Sequence, residues 1–317
     1  MISAALARIA ASQTTAMTDR AAALRAEGRD IISLSVGEPD FAMPAHVADA
    51  LRAALDAGDT KYTPVAGTAR LRAAAALHFG RDLGLATTPE RIVVSAGGKQ
   101  AIFHALLATL NPGDEVLMPD PCYPPNRNFV GAAGGTTKLI PTTAETRFQL
   151  SAADIRNNWG PHTRGVLIAS PSNPTGTSIT RDELNLIFKE VRARKGFVMM
   201  DEIYLSLSYN GTPQSALALD DDIIILNSFS KYFNMTGWRL GWMIVPQHLV
   251  APIEKMAASL AICAPTLAQH GAIECFHPES IALYETRREA FRQRIVENAM
   301  DDTEVEIEVE HGVLRDG

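Results

Sequence analysis

From about Pro89 to Val245 the chain alternates short, uninterrupted apolar runs with stretches of helical periodicity, and this alternation leaves few folds open. RIVVSA (91–96), EVLM (115–118), TKLI (137–140), GVLIAS (165–170), FVMMDE (197–202), IIILNSF (223–229) and LGWMIV (240–245) are β-rich, and several lack the polar alternation of a half-exposed sheet. A strand that is apolar on both sides must be covered on both sides, as happens when helical crossovers join parallel strands. The segments between the runs supply those helices. KQAIFHALLATL (99–110) reads as a helix ended by Asn111-Pro112-Gly113, and Thr180 with Glu183 forms a capping box that starts a helix running to about Lys195. The pattern predicts an α/β fold with a mainly parallel sheet and helices on both faces.

Composition excludes other classes. With 46% hydrophobic residues in 317, the chain has ample material for a core and is neither disordered nor a disulfide scaffold. Lys and Arg number 29 against 36 Asp and Glu, a net charge of −7 without a basic stripe, which argues against nucleic acid as a partner. The three cysteines, Cys122, Cys263 and Cys275, are widely spaced and lack short-range metal-ligand partners, so no metal is expected and a reduced, cytoplasmic setting fits. No run approaches the roughly 18 apolar residues of a membrane span. The first 18 residues are free of acid and superficially suggest a transit peptide, but an Ala-rich amphipathic arm stopped by Gly28 is the favoured reading. At the other end, Glu304–Glu310 alternates strictly, placing Val305, Ile307 and Val309 on one face of a strand with no evident partner sheet.

In doubly wound sheets, ligands sit at the carboxyl ends of strands. Gly97-Gly98-Lys99-Gln100 follows the first run and opens a helix whose N–H groups can meet an anion. Pro171-Ser172-Asn173-Pro174 follows the fourth, Asp201, Glu202 and Tyr204 end the fifth, and Ser228-Phe229-Ser230-Lys231 ends the sixth, with Arg239 eight residues on. Each has an ordinary structural explanation when taken alone: a tight turn, a helix cap, a solvated lysine, a surface ion pair. Together they place an amine, a carboxylate, a phenol, an amide and an anion site on one sheet edge. Those are the requirements of pyridoxal phosphate: a Schiff-base lysine, an acid for the pyridine nitrogen, donors for the ring oxygen and a phosphate cradle.

The stretch from Ser228 to Gly241, SFSKYFNMTGWRLG, resembles the lysine signature of the class I/II aminotransferases, fold-type-I enzymes related to aspartate aminotransferase. SVGEPDF (35–41), KYTPVAGTARLR (61–72), SAGGKQA (95–101), PDPCYP (119–124), SPSNPTG (170–176) and DEIY (201–204) agree in order, so the similarity covers roughly Ala21 to Gln269. The resemblance implies a seven-stranded, mainly parallel sheet, with an arm and the start of a small domain at 1–40, a large cofactor domain at 41–280 and a residual small-domain segment at 281–317. It further implies that Lys231 binds the cofactor covalently and shuttles the substrate proton, that Asp201 pairs with the pyridine nitrogen, and that Tyr204 and Asn173 bond the ring oxygen. Tyr123 would stack on the ring. Gly98 and Lys99 through backbone N–H, with Ser228, Ser230 and Arg239, would hold the phosphate. Tyr62 would reach a neighbouring subunit's phosphate, implying a homodimer with shared sites onto which the arm latches. Gly37, with Tyr123 and Asn173, would meet the substrate.

The implied activity moves an amino group from an aspartate-like or alanine-like L-amino acid to a 2-oxo acid in a ping-pong cycle. A pyridoxal-phosphate carbon–sulfur β-lyase and an inactive cofactor-binding protein are the alternatives. Recognisable sequence fades after about Arg288, before the region in which the family carries the arginine for the substrate's α-carboxylate. Arg287, Arg288, Arg292, Arg294 and Arg315 match no motif and read as solvated helix charges. An incomplete small domain is therefore expected. Loss of a desolvated Arg–carboxylate contact costs roughly 2–5 kcal/mol, so cofactor binding should survive better than transamination.

Overall fold

The computed structural model describes Ser3 and residues 6–33, 36–209 and 213–301. Three helices come first: α1 (Gln13–Ala26), α2 (Ala45–Asp56) and α3 (Ala69–Asp82). The sheet-forming region follows as β1 (Ile92–Ser95), α4 (Gly98–Thr109), β2 (Glu115–Asp120), α5 (Pro125–Ala132), β3 (Thr136–Pro141), α6 (Ala152–Asn158) and β4 (Thr163–Ala169). It continues through α7 (Arg181–Ala193), β5 (Phe197–Asp201), β6 (Ile224–Ser228) and β7 (Gly241–Ile244), before α8 (Gln247–Leu260), α9 (Thr266–Glu274) and α10 (Pro278–Asp301).

The seven strands form one sheet in the order β1-β7-β6-β5-β4-β2-β3. From β3 to β6 neighbouring strands run parallel, while β7 is antiparallel to both β6 and β1. The strand order departs from sequence order at two connections, β1 to β2, which crosses most of the sheet, and β3 to β4, which passes β2. Seven apolar runs thus become seven strands, within one or two residues of the sequence boundaries.

Two buried clusters explain the missing polar alternation. Val116, Met118, Leu167, Met199, Leu226 and Met243 face one cluster, where Ile102 and Leu106 of α4 and Ile253 of α8 cover them. Leu117, Val166, Ile168, Val198, Met200 and Trp242 point the opposite way, into a cluster with Ile187 and Val191 of α7. Successive side chains alternate between the two faces, and both are dry.

Three local expectations are corrected. Thr180 Oγ1 caps α7 by accepting from Glu183 N at 3.3 Å. The Glu183 carboxylate instead accepts from Ala152 N at 2.6 Å, so the reciprocal half of the box is spent joining α7 to α6. The arm is helical but not amphipathic against its own chain, since Ala21 is the buried residue of α1 among those described. The preceding turn docks on α5, where Arg8 Nε donates to Gly131 O and Ala10 N to Asn128 Oδ1, both at 2.9 Å.

Arg287 and Arg288 are not solvated charges. Arg287 donates to Ala42 O at 2.9 Å and to Asn234 Oδ1, and its guanidinium lies over the Phe41 ring at 4.8 Å. Arg288 pairs with Glu285 and donates to Ser206 O at 3.2 Å. Both tie α10 to the body, together with buried Tyr284 and the Tyr232 hydroxyl, which donates to Glu285 Oε1 at 2.6 Å. Among the described residues Arg292 pairs with Glu289 of its own helix, on the exposed side that the sequence suggests. The alternating segment around Val305, Ile307 and Val309, and Arg315, lie outside the described residues. Among the described residues no helix is long and apolar enough to cross a membrane.

Candidate active site

A cavity of about 1450 Å³ opens at the carboxyl ends of β2, β4, β5 and β6, and each strand end supplies chemistry to it. β1 leads into Gly97, whose φ of +85 is open to glycine and costly for other residues. A Cβ there would collide with the Arg239 guanidinium, so this glycine lets the arginine lie against the first turn of α4. Gly241 is similarly constrained, since a Cβ would sit 2.8 Å from Gly98 N. The α4 N-terminus, with its unsatisfied N–H groups, therefore stands beside a cation. Arg239 itself has left-handed backbone (φ 52), and its Nη1 donates to Thr236 O at 2.9 Å. Ser228 and Ser230 adjoin this cradle, with Ser230 N donating to Ser228 Oγ at 3.0 Å.

Asp201 ends β5. Its carboxylate is buried, accepts from Ile203 N at 3.1 Å and lines the cavity. Burial pushes its pKa up to about 6, partly offset by that hydrogen bond. An ion held at such cost calls for a cationic partner, and a protonated pyridine nitrogen is one. Three residues on, Tyr204 accepts at its hydroxyl from Asn173 Nδ2 at 3.2 Å, bringing the ends of β4 and β5 together. Burial raises the Tyr204 pKa, with the Asp201 charge adding to the rise and the Asn173 bond opposing it. Tyr123, also cavity-lining, is raised chiefly by burial.

Lys231 follows β6. Burial lowers its pKa, the Glu38 carboxylate opposes this and Arg239 reinforces it. Its Nζ donates to Gly37 O, so the segment entering from the arm reaches the lysine directly. Glu38 accepts from Thr236 Oγ1 on the loop that carries Arg239.

Of the residues singled out from sequence, Gly37, Gly98, Lys99, Tyr123, Asn173, Asp201, Tyr204, Ser228, Ser230, Lys231 and Arg239 all line this one cavity. Tyr62 does not; its side chain is 79% exposed, away from the cavity of its own chain. The sequence placed Glu202 at the end of this strand without a role; it is buried beside Asp201 and accepts from Ala216 N at 2.6 Å, with Oε2 unpartnered. Its pKa is pushed up to about 7 by burial. The DEIY motif contained the signal, since two adjacent acids at a buried strand end cannot both be solvated. Arg127, Arg147 and Arg181 at the rim had no signal in spacing. Among the described residues no cluster of His, Cys, Asp or Glu is arranged to hold a metal ion.

The donor set fits pyridoxal phosphate: a buried carboxylate lacking a cation, a buried amine of lowered pKa, a phenol–amide pair and a glycine-lined cradle beside an arginine. Comparison with known proteins agrees. The family model "Aminotransferase class I and II" matches residues 29–300. A probable aspartate/prephenate aminotransferase of Rhizobium leguminosarum is 38% identical over 297 residues, covering 90% of this chain and 74% of the relative. A valine–pyruvate aminotransferase of Mycobacterium tuberculosis is 38% identical over 255 residues, covering 80% of this chain and 66% of that protein. The aspartate aminotransferase of Thermus thermophilus, solved with maleate, superposes with a TM-score of 0.89 at 34% identity, covering 93% of this chain and 78% of that one.

Proposed function

The chain belongs to the class I and II aminotransferases, pyridoxal-phosphate-dependent enzymes, and from that membership we propose that it moves the amino group of an aspartate-like L-amino acid to a 2-oxo acid. The observation that carries the reading is the convergence of Lys231, Asp201, the Tyr204–Asn173 pair and the Gly97–Arg239 cradle on one cavity.

Pyridoxal phosphate, when bound, supplies an electron-poor ring that takes up the electrons released at the substrate's α-carbon and carries the amino group between half-reactions. The chain's own residues do the rest. Arg239, Ser228, Ser230 and the N–H groups of Gly98 and Lys99 hold the phosphate, where helix terminus and guanidinium both favour a dianion. Asp201 holds a proton on the pyridine nitrogen, and the cation so formed offsets the burial that raises the Asp201 pKa to about 6. Tyr204 and Asn173 hydrogen-bond the ring oxygen, and Tyr123 covers the ring face. Lys231 anchors the cofactor and later moves the substrate's α-proton on Nζ. Burial lowers its pKa and so favours the neutral amine that both tasks need. For the substrate to arrive, Nζ must release Gly37 O, and the freed Gly37 backbone then meets the substrate carboxylate.

Tyr62, exposed on this chain, is assigned to the phosphate of a second copy, which makes the functional unit a homodimer with shared sites. We divide the chain into an arm with the first part of a small domain (1–40), a cofactor domain (41–280) and a C-terminal segment from 281.

Absorption spectroscopy tests the reading. The protein with pyridoxal phosphate should show a visible cofactor band that is lost on adding L-aspartate and restored by a 2-oxo acid. Lys231→Ala should abolish this cycle. A band that ignores every amino acid refutes amino transfer, and no band at all refutes the cofactor assignment. A neutral donor is the second reading, favoured by the M. tuberculosis relative at the same identity. A response to L-alanine and not to L-aspartate would establish it.

A further inference from the structure

The turn that carries Lys231 is pinned to the sheet at its ends. Phe229 N donates to Leu240 O and Met235 N to Phe229 O, both at 3.1 Å. Tyr232 and Phe233 are buried in the aromatic cluster with Phe229, Trp242 and Tyr284. Lys231 itself is held by Asn234. Among the described residues every hydrogen bond to the Lys231 backbone comes from that residue, from N at 3.1 Å and from Nδ2 at 3.3 Å, both to Lys231 O. Peptide units are planar, so a fixed carbonyl fixes the rotation about the Cα–C bond of Lys231 and the direction in which its side chain leaves.

Asn234 has the backbone for this task. Its φ is 56, in the left-handed region that asparagine enters more readily than most side chains. A side-chain amide donates from Nδ2 and accepts at Oδ1, so the partner of one end decides what the other end faces. Here Oδ1 accepts from Arg287 Nη1 of α10, which turns Nδ2 toward Lys231 O.

Arg287 is fixed in turn by a third segment. Nη1 also donates to Ala42 O at 2.9 Å, and the guanidinium lies over the Phe41 ring at 4.8 Å. Phe291, one turn further along α10, meets that ring edge-on, with centroids 5.5 Å apart. Arg288 and Arg292 of the same helix pair with Glu285 and Glu289. Among the described residues Arg287 has no carboxylate partner, and it directs its charge to two neutral oxygens and a ring. A cationic donor makes the stronger hydrogen bond, so it holds the Asn234 amide more firmly than a neutral group would.

We propose that Arg287 is a positioning residue for Lys231: anchored on Phe41 and Ala42, it orients the Asn234 amide, and that amide sets the direction in which the lysine side chain enters the cavity. The assignment rests on the amino-transfer reading for what Lys231 does there, while the linkage itself is a property of the cofactor-free chain.

Two variants separate the parts of the linkage. Arg287→Gln removes the cation, and Asn234→Gly removes the amide while accepting the left-handed backbone. In the cofactor-free protein, each should lower hydrogen-exchange protection at positions 234 and 235 about 10-fold and leave β4 and β5 as protected as in the parent. In the loaded protein, the half-reaction with L-aspartate should lose about 10-fold in limiting rate, with the half-saturating concentration changed less than about twofold. The double variant should be no slower than the slower single one, because both substitutions act through one amide. Arg292→Gln, which removes a charge from the same helix, should match the parent throughout. The proposal is overturned if Arg287→Gln leaves protection at the lysine turn unchanged, if β4 and β5 lose protection equally, or if the rate losses multiply in the double variant. Should Arg287→Gln fail to fold, an Asn234→Gly protein with the parent's protection and limiting rate overturns it as well. A parent that leaves amino acids unreacted would count against amino transfer, and the exchange data would still decide the linkage.

Discussion

Asp201 gives the cofactor assignment a thermodynamic signature that needs no catalysis. Its pKa rises from an ordinary 3.8 to about 6 because burial penalises the ion. At about 1.4 kcal/mol per pH unit, ionising it costs the folded, cofactor-free chain about 3 kcal/mol more than the unfolded one. A carboxyl whose pKa rises on folding holds its proton more tightly in the folded state. Stability therefore falls as pH climbs from about 4 to about 6 and stays lower above that. Asp201→Asn should relieve this: the amide oxygen can still accept from Ile203 N, and a neutral amide carries no ionic desolvation cost. Removing the charge also removes one of the causes that raise the Glu202 pKa, a smaller effect of the same sign. Denaturant unfolding of the cofactor-free proteins should find the variant more stable by up to about 3 kcal/mol at pH 7.5, with the gap closing toward pH 4. With pyridoxal phosphate the order should reverse. The parent gains more from the cofactor than the variant, and the variant's amino-acid half-reaction slows by about 100-fold or more. A cofactor-free Asp201→Asn protein no more stable than the parent at pH 7.5 would refute the reasoning, because the burial cost would then not exist.

Gly97→Ala should cost about 1–2 kcal/mol of stability through its positive φ, and displacement of Arg239 should lower pyridoxal phosphate affinity about 10-fold, read by absorbance titration. Phe276 packs within ring contact of His78, Phe229, Phe233 and Trp242, at centroid distances of 5.0 to 5.8 Å. Phe276→Ala should destabilise by about 3–5 kcal/mol in denaturant unfolding, and a loss below about 1 kcal/mol would contradict the packing. Tyr232→Phe removes the hydroxyl that joins the lysine loop to α10 and should cost about 1–2 kcal/mol, whereas Glu285→Gln keeps an acceptor and should cost less.

The strands were legible because their signal is local. A residue covered on both sides by helices is apolar whichever neighbour covers it, so each run from Ile92 to Ile244 announced itself without reference to the others. The cofactor residues were legible for a related reason: chemistry at a strand's carboxyl end comes from the residues at and just past that end, and Asn173, Asp201 and Lys231 each lie there. Partnership across the fold was not legible. Glu183 had a near partner in its own helix's cap and took a distant one, Ala152 N, because α6 packs against α7. Arg287 and Arg288 carried ordinary helix charge until α10 lay over Phe41, Asn234 and Ser206. Arg127 and Arg147 follow different strands, and only the parallel pairing of β2 and β3 carries both exits to the same cavity. Backbone periodicity and strand-end chemistry are written in consecutive residues, and the sequence determined both. Which charge meets which depends on how those strands are ordered in the sheet, and that the tertiary structure alone decided.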